Sequence, residues 1–182
     1  HNNSILVLDP IMGDDGHKYS SFDNKLCDAI CEFAKTADVI TPNFTEACML
    51  ADVDYYCLYE KNNSSNYIEI VADMFSCLLN HNKAVAVTGI KDIKNNQVYN
   101  LLLTNKGLKS IPNTLKEGTY SGAGDIFTAV LGGLIIKGFS LITAFEKACD
   151  FVASAIQLTR ADIDRREGLD FEPILAKLTD IN

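Results

Sequence analysis

The sequence contains three clusters of acidic, polar and glycine residues that could bind or transfer phosphate. The first is Asp9-Pro-Ile-Met-Gly-Asp14-Asp-Gly16. Asp9 and Asp14 could hold a hydrated Mg²⁺ or an alkali cation beside phosphate groups, because such hard ions take carboxylate oxygen and water as ligands. The same residues also fit a turn with solvated acids. This segment alone therefore leaves both interpretations open.

The second cluster is Thr41-Pro-Asn43-Phe-Thr-Glu46. One helical turn brings Asn43 and Glu46 to the same side of a helix N-terminus, and such an end attracts anions and metal-bound phosphate. An Asn N-cap followed three residues later by Glu is also the pattern of a capping box. The spacing favours neither interpretation over the other.

The third cluster is Gly118-Thr-Tyr-Ser-Gly122-Ala-Gly124-Asp125, which leads into an apolar helix. Glycines let the backbone approach a phosphate, while free N–H groups and the helix dipole stabilise its charge. A carboxylate at Asp125 could accept the proton of an attacking hydroxyl. Alternatively, the glycines form a tight helix entry and Asp125 satisfies the dipole. A dinucleotide fingerprint and the phosphate loop G-x-x-x-x-G-K-[ST] are both unmatched.

Apolar patterns predict the elements that must position these clusters. Short apolar runs predict buried parallel strands at residues 5–8, 39–41 and 84–88. Residues 98–103 and 108–112 predict a β-hairpin around the turn at 104–107. Periodicity predicts helices near 22–35, 43–50, 66–80, 122–137, 140–160 and 171–179. The alternation predicts an α/β fold: a mostly parallel sheet with helices on both faces and a hairpin before the glycine cluster.

Helix ends are predicted from cap residues. Ser20 and Ser21 are the candidate caps of the first helix, whose apolar stripe consists of Phe22, Leu26, Ile30 and Phe33. Asn66 and Glu69 predict a capping box for the helix at 66–80. Gly138 is expected to close the helix that starts at the glycine cluster, and Ser140 to cap the next.

Composition excludes several classes of function. Sixteen basic against 24 acidic residues give a net charge of −8, which disfavours nucleic acid and anionic lipid as partners. No apolar run approaches the roughly 20 residues of a membrane span, so a cytoplasmic location is expected. The six cysteines show no C-x-x-C or zinc spacing, which predicts reduced, packed thiols.

The length of 182 residues with 47% hydrophobic content predicts one domain over residues 1–182. The first strand begins almost at residue 1, without an initiating Met. A buried parallel strand needs neighbours on both sides. We therefore expect an N-terminally truncated fragment that lacks some strands of its sheet.

Four motifs together resemble the C-terminal two-thirds of pyridoxal kinases in the ribokinase superfamily. They are Asp9-Pro-Ile-Met-Gly-Asp14, Thr41-Pro-Asn43-Phe-Thr-Glu46, Val85-Ala-Val-Thr88 and Gly122-Ala-Gly-Asp125, in this order and spacing. The resemblance implies ATP-dependent phosphorylation of the hydroxymethyl group of a B6 vitamer in vitamin B6 salvage. It also implies Mg²⁺, a monovalent cation (K⁺ or Na⁺), a small-molecule acceptor and a homodimer when complete.

The resemblance assigns a role to each matching residue. Asp125 resembles the base that deprotonates the acceptor, with Gly122 and Gly124 shaping an anion hole for the transferred phosphoryl group. Residues that resemble nucleotide contacts are Asp9, Thr41, Asn43, Glu46, Thr88 and Ala123. Residues that resemble metal contacts are Asp9, Asp14, Thr41 and Glu46, the last orienting Mg²⁺ through water. Contacts to the nucleotide base are expected near residues 110–113.

Two related activities and one unrelated function remain as alternatives. Hydroxymethylpyrimidine kinases share the D-P and T-P-N motifs but usually carry Cys where Asp125 stands. Sugar kinases of the superfamily share Gly-Ala-Gly-Asp. A non-catalytic nucleotide-binding fragment is the alternative of another class, although intact Asp125 and Gly122 argue against a degenerate site. In pyridoxal kinases, most residues that contact the pyridine ring belong to the N-terminal part of the enzyme.

Overall fold

The chain divides into two units, His1–Leu115 and Lys116–Asn182. The computed structural model describes residues 4–116, 120–159 and 168–179. The first unit contains the sheet, and the second contains the glycine cluster and two long helices. A single domain over residues 1–182 stays a prediction, since it depends on how the two units combine.

The first unit alternates strands and helices. Its strands are β1 (Val7–Leu8), β2 (Gly13–Asp14), β3 (His17–Lys18), β4 (Val39–Ile40), β5 (Ala84–Asp92), β6 (Gln97–Thr104) and β7 (Gly107–Thr114). Its helices are α1 (Asn24–Ala34), α2 (Phe44–Ala51), α3 (Tyr55–Tyr59) and α4 (Tyr67–Phe75). Short 3₁₀ helices cover Glu60–Asn63 and Ser76–Asn80.

The second unit is built around two helices, α5 (Ala123–Ile136) and α6 (Leu141–Leu158). A 3₁₀ turn at Glu172–Ile174 and the short helix α7 (Ala176–Thr179) follow. Gly138 has a φ of +91° after the end of α5, and the Ser140 hydroxyl accepts the amide of Thr143 at 3.2 Å. Both predicted helix ends are therefore confirmed. The predicted end of α6 near Arg160 lies outside the described residues.

Five strands form the main sheet in the order β1-β4-β5-β6-β7. Strands β1, β4 and β5 pair in parallel, and β6 is antiparallel to both β5 and β7. Since β7 thus runs in the same direction as β5, four of the five strands point one way. The mostly parallel α/β sheet and the hairpin before the glycine cluster are confirmed.

The central strands are apolar because they are covered on both faces. Every residue of β4 and the first four of β5 are buried. Phe44 of α2 and Phe75 at the end of α4 join the same core cluster and meet edge to face, with ring centroids 5.9 Å apart. This core holds the start of α2 against the end of β4, where the second polar cluster lies.

Two predicted caps are wrong. The cap of α1 is Asp23, whose carboxylate accepts the amide of Leu26 at 2.7 Å, in place of Ser20 or Ser21. Asp caps as well as Ser does, and it directly precedes the first helical residue. The Asn66 side chain makes no cap bond, so the predicted capping box with Glu69 does not form. Helix α4 also ends at Phe75 and continues as a 3₁₀ helix to Asn80.

The predicted apolar stripe of α1 is not its buried face. Leu26 and Phe33 are 44% and 52% exposed, whereas Cys27 and Ala34 are buried. Neighbouring helix positions differ by about 100° in direction, so the helix is rotated by roughly that angle from the predicted orientation. The small Cys and Ala side chains let α1 approach the core closely.

Two predictions from composition can be compared with the described residues. No helix in that part of the chain is both long and apolar enough to cross a membrane. All six cysteines are free thiols, and Cys27, Cys48 and Cys149 are buried as predicted. Cys57 and Cys77 are exposed, so the prediction of packed thiols is wrong for these two.

We predict that Asn82→Ala destabilises the first unit by about 1–3 kcal/mol. The Asn82 side chain is buried and its amide donates to the carbonyls of Ala34 and Ala37, at 2.8 and 2.9 Å. These carbonyls lie at the end of α1 and three residues beyond it, and both lose the bond from Asn82 in the variant, although the Ala37 amide still donates to the Ala34 carbonyl at 3.2 Å. Urea unfolding measures the change. Asn80→Ala, at an exposed position, is the matched control, and equal losses in the two variants would contradict the prediction.

Candidate functional site

The carboxylate of Glu46 is the centre of the polar cluster in the first unit. One oxygen accepts the amide of Asn43 at 2.8 Å, and the other accepts the amide of Met12 at 3.0 Å. The Asn43 side chain accepts the Glu46 amide at 2.9 Å, which completes a capping box. Glu46 is only 3% exposed. The capping interpretation of this motif is therefore realised, with an additional bond to the loop after β1.

Burial disfavours ionisation of the Glu46 carboxyl group. Removal from water raises the pKa of Glu46 from 4.5 to about 7, against the opposing effect of the amides of Asn43 and Met12. The negative charge of Asp9 contributes to this raised pKa of Glu46. A cation near these two acids would favour the ionised form.

The other predicted residues of this cluster lie where parallel strands end. Asp9 follows β1, Thr41 follows β4, and Thr88 lies in β5 beside Asn43, with which it forms a parallel bridge. The Thr41 hydroxyl donates to the carbonyl of Leu8 at 3.3 Å. The strand ends of an open α/β sheet form its ligand crevice. The structure thus brings together Asp9, Thr41, Asn43 and Thr88 at the carboxyl ends of the parallel strands.

Asn43 also ties the first cluster to the second. Its side-chain amide donates to the carbonyl of Gly13 at 2.8 Å. Gly13 belongs to β2, which pairs with β3 in a tight hairpin. The amide of Gly16 in this hairpin donates to the hydroxyl of Thr45 in α2 at 2.9 Å. These bonds hold the hairpin against the N-terminal turn of α2.

This hairpin was not predicted from the sequence. Its turn contains Asp15 and Gly16, with φ values of +47° and +81°. Asp-Gly is the sequence signal for a two-residue turn that needs positive φ at both positions. Asp14 is exposed on β2 and accepts the amide of Asp15 at 2.9 Å, and Lys91 pairs with Asp15 at 2.8 Å. The turn interpretation of the first cluster is thereby realised at Asp14.

The donor set suits a hydrated Mg²⁺ more than a metal held by protein alone. Among the described residues, no three His, Cys, Asp or Glu side chains converge as a metal cage would require. Mg²⁺ usually keeps several waters and is bound by one or two carboxylates together with substrate phosphates. The neighbouring acids Asp9 and Glu46 meet that smaller requirement.

In the second unit, the glycine cluster leaves a helix N-terminus open. Gly122 precedes α5 with a φ of +80°, a conformation that favours glycine, and α5 has no side-chain cap within the described residues. The amide of Ala123 donates to the carbonyl of Tyr120 at 3.3 Å. The following amides, of Gly124 and Asp125, have no partner among the described residues. They can therefore bind an anion. Gly118 and Thr119 lie outside the described residues.

Asp125 is exposed in the first turn of α5. It lies at a groove of about 510 Å³ within the second unit, whose other lining residues include Ala129, Gly133, Phe151, Phe171 and Leu175. An acidic group beside an apolar groove can act on the polar end of an organic molecule. The predicted base-contact segment, residues 110–113, lies on β7 of the first unit, where Ser110 and Pro112 are exposed.

Comparisons with known proteins identify related families. The family model described as phosphomethylpyrimidine kinase matches residues 1–169. A candidate phosphomethylpyrimidine kinase from Bacteroides thetaiotaomicron is 28% identical, with a TM-score of 0.79 over 98% of this chain and 60% of that chain. Pyridoxal kinase from Lactobacillus plantarum is 26% identical, with a TM-score of 0.76 over 96% of this chain and 61% of that chain. A search of curated proteins finds no match.

A third solved structure, pyridoxal kinase from Entamoeba histolytica, is 26% identical, with a TM-score of 0.74 over 97% of this chain and 58% of that chain. The chain therefore spans about 60% of the length of the first relatives. The Bacteroides protein was also crystallised with pyridoxal, and a Leishmania donovani pyridoxal kinase with ADP and pyridoxine. The predicted resemblance to pyridoxal kinases of the ribokinase superfamily is confirmed.

We predict that Glu46→Gln becomes more stable relative to the wild type as pH rises from 5 to 8. The pKa of this carboxyl is 4.5 in the ordinary, unfolded environment and about 7 in the folded protein. Its contribution to the stability of the fold is therefore complete below pH 4.5 and is lost as the pH rises through 7. The neutral amide avoids that loss, which is on the order of 3 kcal/mol. Urea unfolding at several pH values measures the difference.

The matched control is Glu69→Gln, at an exposed position in the first turn of α4. A wild type that gains stability over Glu46→Gln between pH 5 and 8 would contradict the raised pKa of Glu46.

Proposed function

We propose that this chain, which belongs to the phosphomethylpyrimidine kinase family, carries the phosphoryl-transfer residues of an ATP-dependent kinase for B6 vitamers. The observation that carries the proposal is the start of α5. Gly122 precedes a helix N-terminus without a side-chain cap, and the carboxylate of Asp125 belongs to the first turn of the same helix. Phosphoryl transfer to an alcohol needs these two functions together, a site for the anion and a base for the hydroxyl.

In the proposed reaction, the hydroxymethyl oxygen of the acceptor attacks the γ-phosphorus of ATP. The bond between that phosphorus and the bridging oxygen breaks, ADP leaves, and Asp125 takes the hydroxyl proton. The amides of Gly124 and Asp125, aided by the dipole of α5, stabilise charge on the transferred group. Most of the rate enhancement then comes from positioning and electrostatics, as is usual for this chemistry.

The cluster in the first unit is assigned to the nucleotide phosphates and their metal. Mg²⁺ bound with ATP would neutralise phosphate charge. We assign Glu46 and Asp9 to the hydrated metal because their carboxylates are close enough for the charge of Asp9 to raise the pKa of Glu46. Asp14 is exposed and does not converge with these two acids among the described residues, so we assign it to the water shell of the metal and not to the ion itself. The remaining proposed contacts, to the nucleotide or to a monovalent cation, are Thr41, Asn43, Thr88 and Ala123.

Between a B6 vitamer and a hydroxymethylpyrimidine, we assign the acceptor as the vitamer because the residue at 125 is a carboxylic acid. Hydroxymethylpyrimidine kinases resemble this chain elsewhere but usually have Cys at that position. A hydroxymethylpyrimidine remains the second candidate, since the matching family model is described as phosphomethylpyrimidine kinase. The Bacteroides relative carries the same description and was crystallised with pyridoxal. A homodimer and a role in vitamin B6 salvage belong to the same proposal.

We predict that the full gene product containing this chain phosphorylates pyridoxal, pyridoxine or pyridoxamine. The kcat/KM should exceed that for hydroxymethylpyrimidine by about tenfold or more. Mass spectrometry of the phosphorylated products after incubation with Mg·ATP measures the preference, with ribose as a further acceptor. A preference for hydroxymethylpyrimidine or ribose overturns the B6 assignment. Binding of ATP without phosphorylation of any acceptor overturns the kinase proposal and leaves a nucleotide-binding protein.

We predict that Asp125→Asn lowers kcat of the active gene product by about 10²- to 10⁴-fold, because the amide cannot take the hydroxyl proton. The affinity for ATP should change little, since the amide keeps the shape of the carboxylate. Steady-state kinetics and nucleotide titration separate the two effects.

Asp150→Asn, an exposed position of α6, is the matched control for loss of a negative charge. If Asp125 only stabilises the helix start, its variant loses roughly 0.3–1 kcal/mol of stability and keeps normal turnover. That result would remove Asp125 from the catalytic assignment.

A further inference from the structure

Sulfur atoms from three side chains lie together where helix α1 packs on the loop after β1. The thiol of Cys31 donates to the thioether of Met12, and the two sulfur atoms are 3.8 Å apart. Cys27 lies one helical turn before Cys31, on the same side of α1. Burial and, after it, the nearby Cys27 raise the pKa of the Cys31 thiol. Met12, Cys27 and Cys31 are called the sulfur cluster below.

The spacing of this cluster matches that of ligands around one metal ion. Sulfur ligands lie about 2.3 Å from a tetrahedral zinc ion, so two of them are about 3.8 Å apart. That is the observed separation of the Cys31 and Met12 sulfur atoms. Ligands four residues apart on a helix can share one ion, as the two histidines of H-E-x-x-H do. Cys27 and Cys31 have this spacing in α1.

The donor atoms of the sulfur cluster select a soft metal ion. Two thiolates and a thioether suit Cu(I), whereas Mg²⁺ and Ca²⁺ take oxygen ligands. Structural Zn²⁺ takes four ligands from Cys, His and carboxylate groups, and a thioether is not among them. Three sulfur donors are sufficient for Cu(I). The chemistry of the cluster thus differs from that of the oxygen-rich site around Glu46.

The surroundings of the sulfur cluster allow an ion to enter and then exclude water. Cys31 is half-buried and so can be reached from solvent, while the other two members are buried. The exposed acids Asp28 and Glu32 lie near Cys31, and their charges are opposed there by Lys35. Two acids against one base give the entrance a net negative charge, which attracts a cation.

We propose that the sulfur cluster binds one Cu(I) ion through both cysteine thiolates and the thioether of Met12. On binding, the thiols of Cys27 and Cys31 release their protons to solvent and each sulfur forms a bond to copper. The thioether gives a lone pair and loses no proton, and copper stays in the +1 state throughout. Because the Met12 amide donates to Glu46 at 3.0 Å, the ion restrains a residue that also orders the Glu46 carboxylate.

Titration with Cu(I), supplied by a coloured chelator without oxygen, tests the proposal. The chain carries Cys57→Ser and Cys77→Ser, which remove the exposed thiols, and it should bind one copper ion. Cys31→Ser should weaken that binding at least about 100-fold, since loss of groups behind the ligands already costs about 10- to 100-fold. Cys149→Ser, which removes a buried thiol outside the cluster, is the matched control. Equal affinities in these two variants overturn the proposal.

X-ray absorption at the copper edge identifies the ligands directly. We expect three sulfur atoms at about 2.3 Å from copper and no nitrogen or oxygen ligand. Met12→Leu keeps the packing volume, so it should fold, lose one of the three sulfur ligands and bind copper about tenfold more weakly. Met74→Leu, at a position 44% exposed, is its control and should keep all three.

Nitrogen or oxygen ligands, or three sulfur ligands in Met12→Leu, would mean that copper binds elsewhere, and either result overturns the proposal. If Cys31→Ser does not fold, the spectrum of Met12→Leu alone decides. Neither measurement involves phosphorylation, so failure here is distinct from failure of the proposed kinase activity.

Discussion

The arrangement of the first unit depends on a buried carboxylate that binds two backbone segments. Glu46 accepts an amide from Asn43 in its own helix cap and another from Met12, 34 residues away in sequence. An unpaired carboxylate at this depth would be strongly unfavourable, and the two amides offset much of that cost. Because the same group fixes the loop after β1 and the start of α2, the positions of Asp9 and Asn43 both depend on it.

The structural and the proposed metal-related roles of Glu46 are compatible. Each carboxylate oxygen has two lone-pair directions, and one amide occupies only one of them. The amides lower the pKa of Glu46 and burial raises it, with a result near neutrality. A water bound to a cation could use the free directions without breaking the cap. The helix start in the second unit differs, because Gly122 before α5 has no side chain to cap it. The amides of Gly124 and Asp125 therefore stay available to a ligand.

The sequence predicted some of the features that depend on neighbours along the chain. The β6–β7 hairpin formed as predicted, and the box of Asn43 and Glu46 was one of the two interpretations of its motif, whereas the predicted caps at Ser20 or Ser21 and at Asn66 did not form. The orientation of α1 was not local, because the core beneath the helix selects Cys27 and Ala34 over the larger stripe. The β2–β3 hairpin was missed because its strands have two residues each and show no alternation. The order of the strands indicated where the site residues lie. Their chemical roles depend on bound ligands, which a sequence pattern does not specify.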